Sequence, residues 1–328
     1  MLTSAAILSY EYTVEYAEVP GRFFSPEVVV MRRVQLVCAV FVALVSTSAW
    51  SADPLVLQSD FGNKDAAVAS MKGVAVGVSA DLDIYDLTHE VPAFNIWEAS
   101  LRLAQVAEYW PKGTVFVSVV DPGVGTPRKS VVLRTKSGHY FVSPDNGSLT
   151  AVAEQFGIDA VREIDEAVNR LGNSEKSYTF HGRDVYAYTG ARLASGVITF
   201  AEVGRELPAE VIAIAYQKPS YRDGVVLGNI EILDPQFGNI WTNIDRETFA
   251  KLGLEPGDKL SIEISEGDRI VLRQTLPYFR MFGKVPLGKP LLYLNSLNRV
   301  SLALNQGNYA ASFGIASGPD WNLKIAKD

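Results

Sequence analysis

Between residues 53 and 205 short apolar runs alternate with longer amphipathic segments, and this alternation constrains the fold more than any other feature. Strands are expected at 55–57, 83–87, 114–120 and 139–142, and helices at 66–78 and 97–109. The helix at 66–78 carries Val68, Met71, Val74, Ala75 and Val78 on one face, and the helix at 97–109 does the same with Leu101, Ala104, Val106 and Ala107. Strands separated by helices imply a mostly parallel sheet covered by helices, so this is an α/β domain. After a linker at 206–222 the texture changes. Strand-like runs at 225–233, 238–244, 259–264, 269–274 and 290–294 are separated by turn signals such as Asp234-Pro235 and Glu266-Gly267-Asp268. Short strands at regular spacing predict an all-β barrel domain over 223–328. A chain of 328 residues has room for two such domains.

The N-terminus is different in kind. Met31-Arg32-Arg33 precedes an apolar stretch, 34–45, and then the small residues around Ala49 and Ala52. That order is the one of a secretory signal, 31–52. The apolar run is shorter than the ~20 residues a spanning helix needs, so the mature protein is expected in the periplasm or secreted, with no stable membrane insertion. If the signal is not used, the protein is cytoplasmic. Residues 1–30, with Glu11, Glu15, Glu18 and Glu27, are read as a start-site artefact. The single cysteine, Cys38, lies inside the apolar run, so the mature chain has no disulfide and no cysteine site. A formal net charge of −7 without a basic cluster argues against nucleic acid as a partner.

The chemistry gathers after the strands of the first domain. Ser59-Asp60-Phe61-Gly62 follows the first, Asp121-Pro122-Gly123-Val124-Gly125-Thr126 the third and Ser143-Pro144-Asp145-Asn146-Gly147 the fourth. In open α/β sheets the carboxyl ends of the strands are where ligands bind; as plain turn formers, Asp and Gly would also account for any one loop. Gly123-Val124-Gly125 is not a dinucleotide fingerprint, because Arg128 stands where the third glycine belongs. The three histidines, His89, His139 and His181, have no metal-ligand spacing, and no metal is expected. His89 reads as a loop or capping residue and His139 as a surface residue opening a strand. His181 sits in Thr179-Phe180-His181-Gly182-Arg183-Asp184, where a plain Arg183–Asp184 pair beside a helix start is the alternative to a functional role.

Together these motifs resemble the S-adenosylmethionine (SAM) hydroxide adenosyltransferase family, relatives of the fluorinase and chlorinase. The likeness rests on Ser59-Asp60-Phe61-Gly62 with Met71-Lys72-Gly73, on Asp121 to Arg128, on Pro144-Asp145-Asn146-Gly147 and on Phe180 to Asp184. It continues through Asp234, Phe237-Gly238-Asn239, Trp241-Thr242-Asn243 and Tyr293-Leu294-Asn295-Ser296, covering about 54–315. The resemblance implies an enzyme that splits SAM with water into adenosine and methionine without a cofactor. It also implies a homotrimer with SAM held between the N-terminal domain of one subunit and the C-terminal domain of its neighbour. Asp60 would accept from both ribose hydroxyls, as a carboxylate can from a vicinal diol. Asp121, Arg128 and His181 would be the catalytic triad at the attacking water. Asp234 and Ser296 would hold the amino-acid end, Asn239 and the backbone after Asn295 would help read adenine, and Phe94, Phe180 and Trp241 would wall or stack. Gly182 occupies the position of the fluorinase's halide-donating serine, though the chlorinase also has glycine there. The fluorinase's long insertion is reduced to the turn at Lys136-Ser137-Gly138. Leu297 and Leu304 replace fluorinase arginines. The alternatives are a SAM-dependent halogenase and an exported nucleoside-binding protein without turnover.

Overall fold

The computed structural model describes residues 52–328; of the expected export signal only Ala52 lies within them, and the segment 1–30 lies outside. The first sheet is built from β1 (Leu55–Ser59), β2 (Ile84–Thr88), β3 (Val115–Val119), β4 (Ser130–Thr135), β5 (Tyr140–Pro144), β6 (Ile158–Glu163) and β7 (Glu206–Leu207). Their order is β2-β1-β3-β5-β4-β6-β7. The half that carries the site is parallel, with β1 paired to β2 and β3, and β3 paired to β5. Strands β4, β6 and β7 extend it antiparallel.

β1 and β3 are buried throughout because helices cover both faces. Leu55 and Leu57 share one core with Met71 and Ala75 of helix Ala67–Val78 and with Ala191 of helix Tyr188–Ala194. Val56, on the opposite face, packs with Leu103 and Ala107 of helix Ile96–Ala107 and with Val152 of helix Thr150–Phe156. β4 escapes a reading of the sequence because its apolar centre is only Val131-Val132-Leu133, between Ser130 and Arg134.

The second domain comprises β8 (Ser220–Arg222), β9 (Val225–Leu233), β10 (Ile240–Asp245), β11 (Lys259–Glu266), β12 (Arg269–Pro277), β13 (Pro290–Leu294), β14 (Arg299–Leu304) and β15 (Trp321–Lys327). The antiparallel order is β12-β11-β15-β9-β10-β14-β13, with β8 on β9. A bridge from Tyr278 to Leu292 brings the two ends together, so the sheet is a nearly closed barrel around Val226, Ile230, Ile262, Leu302 and Leu323. The two domains meet where Trp97 and Leu101 pack on Ile232, and Trp97 Nε1 donates to the Glu231 carbonyl at 2.9 Å.

One histidine differs from expectation. His139 is buried rather than at the surface, bonded to Ser137 Oγ at 2.8 Å and to the Trp110 carbonyl at 3.0 Å. His89 is buried too, between Ser59 and Asp86.

The segment after His181 is held against β3 by a close approach. A Cβ at Gly190 would stand 2.4 Å from Val117 Cγ2, in a core with no slack. Gly190→Ala therefore overpacks that core and is expected to lower stability by about 1–3 kcal/mol. Urea unfolding of the variant beside the parent measures it, and an unchanged midpoint would show that the helix can shift away from the sheet at no cost.

Candidate active site

β1 and β3 lie side by side and parallel, so the loops leaving their carboxyl ends open on one edge of the sheet. Asp60 stands directly after β1 and Asp121 two residues after β3. Both line a cavity of about 240 Å³, together with Phe61, Phe94, Val119, Phe180, His181 and Gly182. The third Asp/Gly loop does something else. Asp145 Oδ1 accepts from the Ile212 amide at 2.8 Å, and Asn146 Nδ2 donates to the Val120 carbonyl at 2.9 Å, so this loop fastens the interdomain linker and braces β3. Its place on the rim is taken by Thr179 to Gly182.

Asp60 Oδ2 accepts from the Phe94 amide at 2.8 Å. Phe94 is a non-glycine residue at φ +67°, a strained conformation that costs on the order of 1–3 kcal/mol and recurs at ligand sites. Its ring is 71% exposed, free to meet a ligand. Behind Asp60 runs a hydrogen-bonded chain that starts in the interior and ends at the surface. Ser59 Oγ bonds His89 Nδ1 at 2.7 Å, His89 Nε2 bonds Asp86 at 3.0 Å, and Lys72 closes on Asp86 at 2.6 Å. Lys72 stands in the Met71-Lys72-Gly73 motif, yet nothing in the sequence shows that it and His89 support the Asp60 loop.

Arg128 binds Asp121 side-on, Nε at 2.9 and 3.1 Å from its two oxygens and Nη2 closing on Oδ2. Nη1 donates to Ser130 Oγ at 3.1 Å, which in turn bonds the Tyr186 hydroxyl at 3.1 Å. Nη2 also meets His181 Nδ1 at 2.9 Å. A guanidinium can only donate, so Nδ1 must offer its lone pair and the ring proton sits on Nε2. His181 begins a π-helical turn, Gly182–Ala187, an irregularity common at functional positions. Burial lowers its pKa, Glu166 opposes that, and Arg128 and Arg170 reinforce it against a smaller pull from Asp121. The ring is therefore neutral at neutral pH. Gly182 lets the backbone after His181 approach the end of β3: a Cβ there would stand 3.1 Å from the Phe61 ring and from Val119 Cγ1. The Arg183–Asp184 pair is present as well, at 2.6 Å, with Arg183 over the Phe180 ring. Among the described residues no group of three or more His, Cys, Asp or Glu is placed to hold a metal ion.

Residues 55–204 match the SAM hydroxide adenosyltransferase N-terminal domain, and residues 228–322 match the C-terminal domain of the same name. The chain belongs to the SAM hydroxide adenosyltransferase family. An (R)-S-adenosyl-L-methionine hydrolase of Thermus thermophilus is 31% identical over 81% of this chain and 97% of its own length. A fluorinase of Actinoplanes sp. is 30% identical over 80% of this chain and 95% of its own. Among solved structures, a conserved protein from Thermotoga maritima superposes with a TM-score of 0.73 at 34% identity, covering 83% of this chain and all of that one.

The other motif residues of this SAM hydroxide adenosyltransferase lie in its second domain, outside the 240 Å³ cavity of the same chain. Asp234 Oδ1 caps the turn after β9 by accepting from the Gln236 and Phe237 amides at 3.0 and 3.2 Å. Asn239 lines a cavity of about 680 Å³ with Phe237, Phe282 and Asn308. Trp241 is half-buried on β10 opposite Ser301. Asn295 Oδ1 accepts from the Leu297 and Arg299 amides at 2.9 and 3.1 Å, shaping the β13–β14 turn, while its Nδ2 is buried without a hydrogen-bond partner. Ser296 lines a third cavity, of about 500 Å³, beside Glu231 and Arg299. Sequence reading missed Ser130 and Tyr186, which lie near Arg128 and His181 in the chain but outside the motifs, and Glu166 and Arg170, which reach the Arg128–His181 contact from the segment before the His181 motif and share no motif.

Side-chain exposures of 11% and 5% make Arg128–Asp121 a buried pair. Removing one partner strands the other, at a cost of about 3–5 kcal/mol. Arg128→Met should lose that much in denaturant unfolding, and adding Asp121→Asn should restore part of it. A single variant as stable as the parent would mean that solvent reaches Asp121.

Proposed function

We propose that this chain hydrolyses SAM at C5′ to adenosine and L-methionine. The continuous contact Asp121–Arg128–His181 at a cavity that also presents Asp60 and three phenyl rings carries this reading. As water attacks, the C5′–O bond forms while the C5′–S bond breaks, and its electron pair goes to the sulfonium sulfur, which leaves as the neutral thioether of methionine. No acid is needed at the leaving group. The protonated alcohol left at oxygen is strongly acidic and yields its proton to the Asp121 carboxylate. Bulk water, with a pKa near ~15.7, is a poor nucleophile; a site that orients it in line with the C5′–S bond and places fixed charge beside it lowers that barrier. In this arrangement His181 orients the water rather than deprotonates it, because its lone pair is engaged by Arg128. Asp60 keeps one oxygen for Phe94 and has the other for a ribose hydroxyl.

Nothing at Gly182 supplies a hydroxyl donor for a halide, and its surroundings leave no room for one without displacing Phe61 or Val119. Water is therefore the favoured nucleophile, although relatives named fluorinase are as similar as those named hydrolase. The relatives' name specifies the (R) sulfonium, which makes that epimer the substrate to test first. Asp234, Asn239, Trp241, Asn295 and Ser296 would complete the site from the C-terminal domain of a second copy in a homotrimer, with Phe94 and Phe180 as walls. The protein would work outside the cytoplasm after loss of 31–52, with no cofactor.

The purified full chain should release adenosine and methionine from SAM, read by chromatography; 5′-chloro-5′-deoxyadenosine as main product in chloride would make it a halogenase, and neither product would leave a binding protein. His181→Ala is expected to slow turnover by on the order of 10²-fold, the loss a misplaced reactant brings, with near-normal adenosine affinity; near-normal turnover in the folded variant would remove His181 from the reaction. The parent's rate should fall as pH drops below the ordinary histidine range of about 6.5, since only the neutral ring accepts from Arg128. Asp60→Asn should weaken adenosine binding by ~1–3 kcal/mol in calorimetry, the amide putting a donor against a ribose hydroxyl; equal affinity would take Asp60 out of the site. Cell fractionation should find a shortened form in the periplasm, whereas a full-length cytoplasmic product overturns export.

A further inference from the structure

Arg170 stands outside every motif, yet it is one of the best-ordered cations in the molecule. Its side chain is 7% exposed, and four of the five N–H groups of its guanidinium meet an oxygen acceptor. Nε donates to Ser174 Oγ at 3.1 Å, Nη2 to the Ser177 and Ser174 carbonyls at 2.5 and 3.3 Å, and Nη1 to Glu166 at 2.6 Å. The remaining Nη1 direction faces His181 Nε2 at 3.5 Å. On the other side of the same ring Arg128 faces Nδ1 at 2.9 Å. Both nitrogens of one imidazole are thus met by groups that can only donate.

We infer that Arg170, anchored by Glu166, is a positioning residue for this site, which with Arg128 brackets His181 and holds it as a neutral ring. A neutral imidazole has one lone pair, and with the ring proton on Nε2 that lone pair meets Arg128 at Nδ1. An imidazolium has none, so protonation would turn donors against donors and place a third cation between two others. The charged and titratable groups about the ring are Arg128 with Asp121 and Tyr186 on one side, and Arg170 with Glu166 and Tyr178 on the other. Glu166 has two effects: it fixes Arg170, and its own charge draws His181 toward the protonated form. The inference deepens the hydrolase reading and rests on it for the step in which His181 orients water, but the state of the ring can be read without turnover.

The test is an NMR titration of the full chain labelled with ¹⁵N-histidine, which has only His89, His139 and His181, with the His181 signal assigned by its loss in His181→Gln. The parent's midpoint should lie below the ordinary value of about 6.5. Arg170→Met should raise it by on the order of one pH unit, Arg170→Lys should keep it low, and Glu166→Gln should lower it further. A loop brace without electrostatic effect would leave all four midpoints together at unchanged melting temperatures, and that result overturns the inference. If Arg170→Met does not fold, Glu166→Gln decides alone: a lower midpoint supports the bracket and an unmoved one refutes it. The acid limb of SAM hydrolysis should follow the midpoint in Arg170→Met. A moved midpoint with a fixed acid limb would sustain the bracket and refute the role of His181 in hydrolysis.

Discussion

Asp121 and Arg128 are seven residues apart, and their side-on contact closes the glycine-rich loop between β3 and β4. Around that pair the rest of the site is arranged. Burial opposes the charge of Arg128, but the hydrogen bonds to Asp121 and the nearby Tyr186 more than offset it, so the guanidinium stays charged where water is scarce. Its remaining N–H groups are then fixed in direction, one toward Ser130 and Tyr186 and one toward His181. A lysine could keep the charge but not the planar fork that addresses three partners at once.

The sheet supplies the other constraint. Two neighbouring parallel strands end at the same edge, which sets Asp60 and Asp121 on opposite sides of one small cavity. Each carboxylate is then given its own task by its neighbours. Asp60 faces a backbone amide and the cavity, with a hydrogen-bonded Ser59–His89–Asp86 chain behind its loop. Asp121 is held side-on by a guanidinium. One accepts from a backbone amide at the cavity; the other fixes the direction of a cation beside it.

The second domain shows why a motif residue need not sit where its neighbours in the motif series do. Asp234 and Asn295 spend their carbonyl-type oxygens on turns that join β9 to β10 and β13 to β14. The β13–β14 turn leaves the Asn295 Nδ2 buried without a hydrogen-bond partner. Within one chain Asn239 and Ser296 line cavities separate from the 240 Å³ pocket.

The sequence by itself determined the two-domain plan, because the alternation of strand and helix periodicities and then of short strands is a property of local residue order. It also determined that Asp60 and Asp121 would share a rim, since both follow apolar strands of one parallel layer. The third Asp/Gly loop carried the same local signature, and only the tertiary structure revealed that Asp145 is committed to the Ile212 amide. His139 looked like a surface residue because a strand's first position carries no burial signal; packing against Phe116 and Phe156 decided otherwise. Arg170 had no local signal at all. Its role depends on a loop folding back over a distance of 11 residues to the ring of His181, and on Arg128 arriving at that ring from 53 residues away. Hydrogen-bond direction and mutual distance between charges exist only once the chain is closed upon itself, so the protonation state of the site was for the fold to settle.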